Sequence, residues 1–313
     1  MHTSTKKLVL GTAQWGWSVS QSEAFQLLDT WLKAGYNAVD CATNYPINRN
    51  PEQFRAAEKI LKEFVDAHGI HNLEITMKMG SMDNMRSPEV NLAPSFVQMM
   101  GEEYHRDFGS NLSVLMFHWD NRDQPEEIHA SLDALQRLCT TFSIRAGLSG
   151  IAHPDAYAQA NASLGINFDI QLKHNVLHSD LDRYAPLQRH LLAGGPHQFY
   201  AYGLNAGGVK LNGVYSPEST FLTRGGQTEK LAPLLEKIHK LLPVWATAFV
   251  RPPVKTMNHI GLIYAGLHPG IQGLLLGVSS TPQLFETLDF WRNLETFDYS
   301  DVFSSLKKIH LPT

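Results

Sequence analysis

The sequence predicts an α/β fold, a closed barrel of eight parallel strands that are each followed by a helix. Short runs rich in aliphatic and β-branched residues recur eight times, and longer segments with apolar residues at helical spacing separate them. The loop after the first run, "LGTAQWGW", lacks the G-x-G-x-x-G pattern that opens a doubly wound dinucleotide-binding sheet. We therefore predict one domain, residues 1–313, built as a (β/α)8 barrel.

The eight predicted strands are nearly continuous apolar runs, which is the pattern of parallel strands buried on both faces. They are predicted at residues 7–13, 37–42, 73–80, 112–119, 144–150, 168–175, 199–203 and 271–278.

Local signals mark where the intervening helices begin and end. The first helix begins after Ser20, with Glu23 three residues later as in a capping box, and it ends at Gly35. The second is predicted to begin at Pro51 and to end at Gly69, since proline favours a helix start and glycine a helix end. Further helices are predicted near 92–108, 124–139, 153–163, 181–193, 227–241, 254–267, 281–293 and 299–308.

Composition excludes several classes of protein. A net charge of −4 without a long basic run argues against nucleic acid or an anionic membrane as partner. The only two cysteines, Cys41 and Cys139, are far apart, which argues against a disulfide framework or a zinc ribbon and favours a reducing, cytoplasmic location. The most apolar stretch, 260–278, is interrupted by Pro269 and Gly270, so we predict helix, turn and strand there rather than a membrane span.

The predicted ends of strands two to four bring four polar side chains to one face: Asp40, Tyr45, Lys78 and His118. Taken singly, the lysine is more often a solvated charge, the aspartate a loop cap and the histidine a packed ring. Together they form a proton donor. An ammonium lowers the pKa of a nearby phenol, a carboxylate holds the ammonium, and an imidazole positions a carbonyl oxygen. Carbonyl reduction by hydride requires such a donor.

Several segments also match, in order, the motifs of a known enzyme family. "AGYNAVDCATNY" fits G-x-x-x-x-D-T-A-x-x-Y, "EITMKMG" fits the lysine strand, and "SVLMFHWDNRDQPEEIHASLDALQRL" fits the histidine strand with its helix. "LVLGTAQWGW" precedes them, and "IRAGLSG", "IQLKHN", "FYAYGLNAGGVKLNG" and "GLLLGVSSTPQLFETL" follow. Over essentially its whole length the chain resembles the aldo-keto reductase superfamily.

The resemblance implies that Tyr45 is the general acid/base, that Lys78 paired with Asp40 tunes it, and that His118 orients a substrate carbonyl. It also implies a nicotinamide dinucleotide bound without a Rossmann domain, usually NADP(H), with NAD(H) as the alternative. By resemblance, Ser149 and Gln171 would bond the carboxamide, Tyr202 would stack on the nicotinamide, and the segment 277–287 would hold the adenosine end. The implied cofactor-binding residues are Thr12, Asp40, Ser149, Gln171, Tyr202, Gly203, Leu204, Gly277, Ser279, Gln283 and Glu286.

The chain departs from the family pattern at four places, one of which is Pro46 after Tyr45, where glycine is more usual. Gly150 stands where an asparagine is common, Thr287 stands where asparagine follows the glutamate, and the segment 277–287 carries no cation for a 2′-phosphate. The preference between NADP(H) and NAD(H) therefore stays open.

Three further features contribute less to the functional prediction. Trp15, Trp17 and Trp119 are either core rings or the wall of an apolar or sugar-stacking pocket. His174 and His178 leave a strand rather than share a helix face, so we predict no metal. In the long segment 241–259, Arg251 either reaches an anionic ligand or lies in a surface loop.

The sequence thus predicts an oxidoreductase that moves hydride between NAD(P)(H) and a carbonyl or sugar-like substrate. A redox-neutral epimerase or eliminase on the same scaffold, with retained nicotinamide or none, is the alternative. A regulatory subunit without turnover is a third reading, against which the intact four-residue set speaks. The substrate, the direction of the reaction and the oligomeric state stay open.

Overall fold

A computed structural model describes residues 6–187, 197–216, 219–223 and 225–309. Eight parallel strands close into a barrel, in the order β1, β2, β3, β4, β5, β6, β8, β9 and back to β1, and the predicted fold is confirmed. A ninth strand, β7, pairs antiparallel with the end of β6. The strands are β1 Lys7–Gly11, β2 Ala38–Ala42, β3 Glu74–Met79, β4 Leu112–His118, β5 Arg145–Ser149, β6 Phe168–Asn175, β7 His178–Ser179, β8 Gln198–Tyr202 and β9 Gly273–Leu276.

Helices surround the barrel. They are α1 Gln21–Lys33, α2 Ala56–His68, α3 Pro94–Phe108, α4 Pro125–Phe142, α5 Pro154–Ala160, α6 Thr220–Thr223, α7 Thr228–Ala248, α8 Met257–Gly266, α9 Thr281–Thr296 and α10 Ser300–Leu306. Two 3₁₀ turns lie at Pro51–Gln53 and Gly109–Asn111. The helix predicted over 181–193 runs into residues outside the described ones. None of the helices in the described part of the chain has the length and apolar content needed to cross a bilayer.

Short-range signals placed the first helix correctly. The backbone N–H of Ser20 donates to the Glu23 carboxylate at 2.8 Å, and Ser20 Oγ accepts from the Glu23 N–H at 3.3 Å, which is the predicted capping box. Gly69 ends α2 in the left-handed conformation with φ of 58°, as a C-terminal glycine should.

The predicted start of the second helix at Pro51 is wrong. Pro51 opens a single 3₁₀ turn, and α2 begins only after Arg55, whose φ of 65° breaks the helical path. The Arg55 guanidinium donates to the carboxylates of Glu58 and Glu103, so a bridge between α2 and α3 accompanies this local conformation. Sequence periodicity does not report a contact between residues 48 positions apart.

The segment 241–259 also differs from expectation. Its first part continues α7 through Pro243 to Ala248, beyond the predicted end at 241. Arg251 follows, with a side chain only 3% exposed, and its two terminal nitrogens donate to the Asp301 carboxylate at 2.6 and 2.7 Å. Its guanidinium also lies 4.7 Å from the Tyr299 ring. Arg251 thus lies in the loop after α7, as one of the two alternatives predicted, but its side chain is buried and joins this loop to α10 instead of binding an anionic ligand.

Candidate active site

The strand register brings polar residues together at the carboxyl end of the barrel. Ala42 of β2 pairs with Lys78 of β3, and His118 of β4 pairs with Ser149 of β5, which in turn pairs with Gln171 of β6. In a barrel of parallel strands these ends form one face, where short loops and side chains surround a cavity.

Asp40 and Lys78 form an ion pair inside the barrel. Lys78 Nζ donates to Asp40 Oδ2, and both side chains are almost fully buried, with 1% and 2% of their surface exposed. Gln171 completes the group, since its Nε2 donates to Asp40 Oδ1 at 2.5 Å and its Oε1 accepts from Lys78 at 3.2 Å. Burial is the largest single influence and lowers the pKa of Lys78, but the charge and hydrogen bond of Asp40 together with the interactions with Tyr45 outweigh it, so the net pKa is raised. Lys78 is therefore a fixed positive charge.

Tyr45 lies directly beside this charge. Lys78 Nζ is 4.8 Å from the centre of the Tyr45 ring, and the ring is edge-on to His118 with centroids 5.9 Å apart. Burial raises the pKa of Tyr45, while the positive charge of Lys78 lowers it; burial prevails, and the net pKa lies above the ordinary 10. At neutral pH the phenol therefore carries its proton, with a cation in place to stabilise the phenolate that forms when the proton leaves.

His118 is a buried, neutral imidazole. Burial is the main cause that holds its pKa well below the usual 6.5, and the charge of Lys78 adds to it. Its Nδ1 is buried and has no hydrogen-bond partner among the described residues. His118 lines the cavity described below, and the ring of a cavity-lining histidine suits a ligand oxygen or hydroxyl.

One cavity contains most of the predicted site residues. It extends from the Asp40–Tyr45–His118 group past Ser149, Gln171 and Tyr202 to the loop after β9. The predicted residues that line it are Asp40, Tyr45, His118, Trp119, Ser149, Gln171, Tyr202, Gly203, Leu204, Gly277, Ser279 and Gln283.

Val278, within the predicted segment 277–287, and Gln14, at the predicted end of the first strand, also line the cavity. Sequence reasoning missed the other lining residues: Gly11, Ala13, Ile47, Asn205, Gly207, Gly208, Asn258, Leu275 and Leu276. The glycine-rich "GLNAGG" after β8 was a usable signal for three of them, because glycines allow close approach of a ligand to the backbone. Asn258 in α8 gives no such signal, since the chain brings that helix to the cavity only by folding.

Five predicted residues do not line the cavity, and one of them is Lys78, which is buried in its ion pair with Asp40. Thr12 is fully buried and its hydroxyl donates to the backbone oxygen of Asp40 at 2.9 Å. Trp15 is also fully buried within the hydrophobic core, so its prediction as a pocket wall is wrong. Trp17 is half-buried outside the lining, and the exposed Glu286 lies 3.5 Å from His259. Whether each of these residues lines the cavity depends on the direction of its side chain after a turn, and sequence spacing does not encode that direction.

Trp119 lies over Gly150. A Cβ atom built on Gly150 would come within 2.5 Å of Trp119 Cδ1, so only glycine admits the indole in this position. Both residues have positive φ, 58° at Trp119 and 66° at Gly150. The indole thus occupies the space that a side chain at position 150 would need, and it lines the cavity beside His118, with ring centroids 4.8 Å apart.

Among the described residues, one group of acidic side chains is compact enough to hold a metal: Glu58, Glu103 and Asp107. Arg55 already bridges the first two with its guanidinium, so two of the three carboxylates are paired with a cation of the protein itself. The pair His174 and His178 does not converge either, because His174 Nδ1 contacts Ser179 and His178 Nε2 contacts Asp180.

A sequence model of the Aldo/keto reductase family matches residues 7–307. The chain belongs to this family. The resemblance predicted from the motifs is therefore confirmed, and an aldo/keto reductase is in general an NAD(P)(H)-dependent oxidoreductase that acts on small carbonyl compounds.

A curated relative of this aldo/keto reductase comes from Pseudescherichia vulneris. It is described as "Uncharacterized 11.2 kDa protein in crtE 3'region" and is 38% identical over 80 residues, which are 24% of this chain and 74% of the relative. Its description names no activity.

The cavity of this aldo/keto reductase fits an elongated dinucleotide. Its walls change from charged and aromatic groups near Tyr45 to small residues and backbone near Gly277, where an added Cβ would meet nothing within 4 Å. Asn205 Oδ1 is buried without a partner among the described residues, and Asn205 lines the same cavity. An orphaned acceptor and an open glycine are features that a ligand would satisfy.

Proposed function

We propose that this aldo/keto reductase reduces a carbonyl compound, or oxidises the matching alcohol or aldose, with Tyr45 as the general acid/base. The observation that supports this function best is the placement of Tyr45 and His118 against the buried Lys78–Asp40 pair, at the wall of a cavity that fits a dinucleotide.

A nicotinamide held in this cavity would supply hydride to the carbonyl carbon, or accept it from the alcohol carbon in the reverse direction. The protein's part is the proton: the Tyr45 phenol gives it to the carbonyl oxygen as charge develops there, and takes it back in the reverse direction. Lys78 stabilises the resulting phenolate, and Asp40 with Gln171 holds Lys78 in place. Because the net pKa of Tyr45 is raised, the donor stays protonated throughout the neutral range.

His118 orients the carbonyl. As a neutral imidazole it donates one ring N–H to the substrate oxygen without competing with Tyr45 as an acid. An imidazolium at this place would repel the nearby ammonium of Lys78, which is one cause of the lowered pKa of His118. Trp119 extends this wall of the site and contacts the remainder of the substrate.

The proposed cofactor contacts follow the cavity. Tyr202 offers its ring face to the nicotinamide, and Ser149 with Gln171 lies within reach of the carboxamide. Ser149 Oγ already donates to Gln171 Oε1 at 3.3 Å, so these two residues act as one unit. Gly203 and Leu204 contact the middle of the cofactor, and Gly277, Ser279 and Gln283 contact the far end. Both cysteines are free and buried, in keeping with the reducing, cytoplasmic location that we also propose.

Tyr45→Phe tests this function against Tyr36→Phe, a matched loss of a hydroxyl on a half-buried ring that stacks on Trp31 away from the site. We expect Tyr45→Phe to lower kcat for carbonyl reduction by about 10²–10⁴-fold while nucleotide affinity stays within about twofold. Tyr36→Phe should change neither.

Undiminished reduction by Tyr45→Phe would contradict the proposal. Nucleotide that co-purifies with the chain and is never exchanged or consumed during turnover would instead favour redox-neutral chemistry, such as epimerisation or elimination, in the same cavity.

A further inference from the structure

The cavity's far end, defined as Asn258, Gly277, Val278, Ser279 and Gln283, carries no positive charge. Resting on the proposed function, we propose that this aldo/keto reductase takes NAD(H) in preference to NADP(H), because its far end suits free ribose hydroxyls and offers nothing to a 2′-phosphate. The two cofactors differ only by that phosphate, a near-dianion at neutral pH.

Charge is the first observation. No lysine or arginine lines the cavity within the described ranges, and the buried ammonium of Lys78 is paired with Asp40 at the opposite end. The far-end side chains are neutral amides, hydroxyls and an aliphatic group. A phosphate that leaves water without a cation loses hydration and gains no charge-assisted hydrogen bond.

The second observation concerns the amides at the start of α9, which otherwise serve anions well. Side-chain oxygens of the protein itself already accept hydrogen bonds from two of these amides. Gln283 Oε1 accepts from the Ser279 N–H at 2.8 Å and from Ser279 Oγ at 3.2 Å, and Ser280 Oγ accepts from the Gln283 N–H at 3.4 Å. Pro282 has no N–H. At most two amides of this turn, those of Ser280 and Thr281, are left for a ligand.

Two nearby groups need consideration. His259 stacks on Phe290 with centroids 3.7 Å apart, and burial lowers its pKa to about 4, so it is neutral at physiological pH. Lys255 is exposed at the start of α8, and its backbone N–H donates to His259 Nδ1 at 3.2 Å. Its ammonium does not line the cavity, and removing it tests whether it reaches a phosphate from outside.

The polar groups that are present suit hydroxyls. Asn258 Nδ2 donates to Thr287 Oγ1 at 2.8 Å, which fixes the amide at the cavity wall beside Gln283. Amides and hydroxyls accept and donate hydrogen bonds with ribose as readily as with water, so the far end can hold an unphosphorylated ribose at little cost.

The test is equilibrium binding to the purified full-length chain, followed by quenching of tryptophan fluorescence and by calorimetry. The ligands are NADH and NADPH, together with 5′-ADP and 2′,5′-ADP. The two ADP ligands carry no nicotinamide and only the second has a 2′-phosphate, so they measure the effect of that phosphate without turnover. We expect NADH to bind at least about 10-fold more tightly than NADPH, and 5′-ADP more tightly than 2′,5′-ADP. Tighter binding of NADPH than of NADH overturns the inference.

Gln283→Arg, Gln283→Met and Lys255→Ala sharpen the test. Both Gln283 variants release the Ser279 N–H, but only arginine adds charge. We expect Gln283→Arg to raise NADPH affinity by about 10-fold or more, and Gln283→Met to raise it far less. Lys255→Ala should leave both affinities within about twofold. If Lys255→Ala abolishes tight NADPH binding, the exposed lysine grips the phosphate and the inference is wrong.

The inference and the proposed function fail in different ways. A Tyr45-dependent reductase that prefers NADPH retains the function and refutes the cofactor choice. A chain that binds neither NADH nor NADPH refutes the proposed function and the inference with it.

Discussion

The two ends of the same barrel use similar charged residues in opposite ways. At the amino-terminal end, the first residues of β1 and β3 form the pair Lys7–Glu74, whose side chains are 31% and 39% exposed. At the carboxyl end, Asp40 and Lys78 form a pair with 1% and 2% exposure. Water solvates the first pair, whereas the second depends on its protein neighbours for every contact.

The difference indicates which of the two ion pairs takes part in chemistry. The partly exposed pair has water and ordinary polar neighbours around it, with Asn37 and Arg145 beside Glu74. The buried pair has a phenol 4.8 Å away and, beyond it, a histidine with an unpartnered nitrogen at a cavity. Burying two charges is costly unless each contact is well made, so a buried pair beside titratable groups points to chemistry rather than to stability.

The largest expected difference follows from breaking one pair at each end. Lys78→Met leaves Asp40 buried without its cation, and we expect a loss of about 3–5 kcal/mol in unfolding free energy. Lys7→Met leaves Glu74 partly in water, and we expect a loss of about 0–1 kcal/mol. Urea unfolding of both variants measures the contrast.

Equal losses in the two variants would show that the Asp40–Lys78 pair is no more dependent on burial than a surface pair. Lys78→Arg is a further control, because it keeps the charge while changing its shape.

The comparison of two glycines isolates the role of Trp119. Gly150 and Gly165 have nearly the same φ, 66° and 63°, but an added Cβ meets Trp119 at 2.5 Å in the first and nothing within 4 Å in the second. We expect Gly165→Ala to cost about 1 kcal/mol of unfolding free energy through backbone strain alone. Gly150→Ala should cost about 1–3 kcal/mol more because the indole must move.

A double-mutant cycle with Trp119→Ala checks this assignment. In the Trp119→Ala background, Gly150→Ala should lose only the unfolding free energy due to backbone strain, because the ring that the new Cβ would meet is gone. If Gly150→Ala and Gly165→Ala behave alike, the indole is not held by the glycine.

The smallest expected effect is on the pH dependence of the unfolding free energy. His118 is neutral in the folded chain because burial, with the charge of Lys78, holds its pKa well below 6.5, whereas the unfolded chain takes up a proton near that value. Its contribution to stability is therefore complete above pH 6.5 and is lost as the pH falls from there toward the folded pKa. His118→Gln should remove about 1.4 kcal/mol per pH unit from the slope of stability between pH 6.5 and 5.

Chemical unfolding at several pH values measures the slope, with the exposed His71→Gln as the control for loss of a histidine. An unchanged slope in His118→Gln would mean that His118 titrates alike in the folded and unfolded chain.

Prediction from sequence succeeded where a signal is local. Ser20 with Glu23, Gly69 and the apolar strand runs act over a few residues, and the helix starts, helix ends and barrel strands that they predicted are observed. It failed where a distant partner decides, as for the helix start near Arg55, which pairs with Glu103, and it did not foresee the pairing of the loop residue Arg251 with Asp301. The single-domain assignment over 1–313 stays a prediction.

By itself the sequence determined the barrel, the family, and the arrival of Asp40, Tyr45, Lys78 and His118 at one end, because strand order and the direction of parallel strands follow from periodicity. Only the tertiary structure decided which tryptophan faces the cavity and that Gly150 makes room for it. It also showed that side-chain oxygens of the protein accept hydrogen bonds from backbone N–H groups at the start of α9, which are then not free for a ligand. These properties depend on side-chain direction and on contacts between residues distant in sequence, which packing fixes and spacing does not.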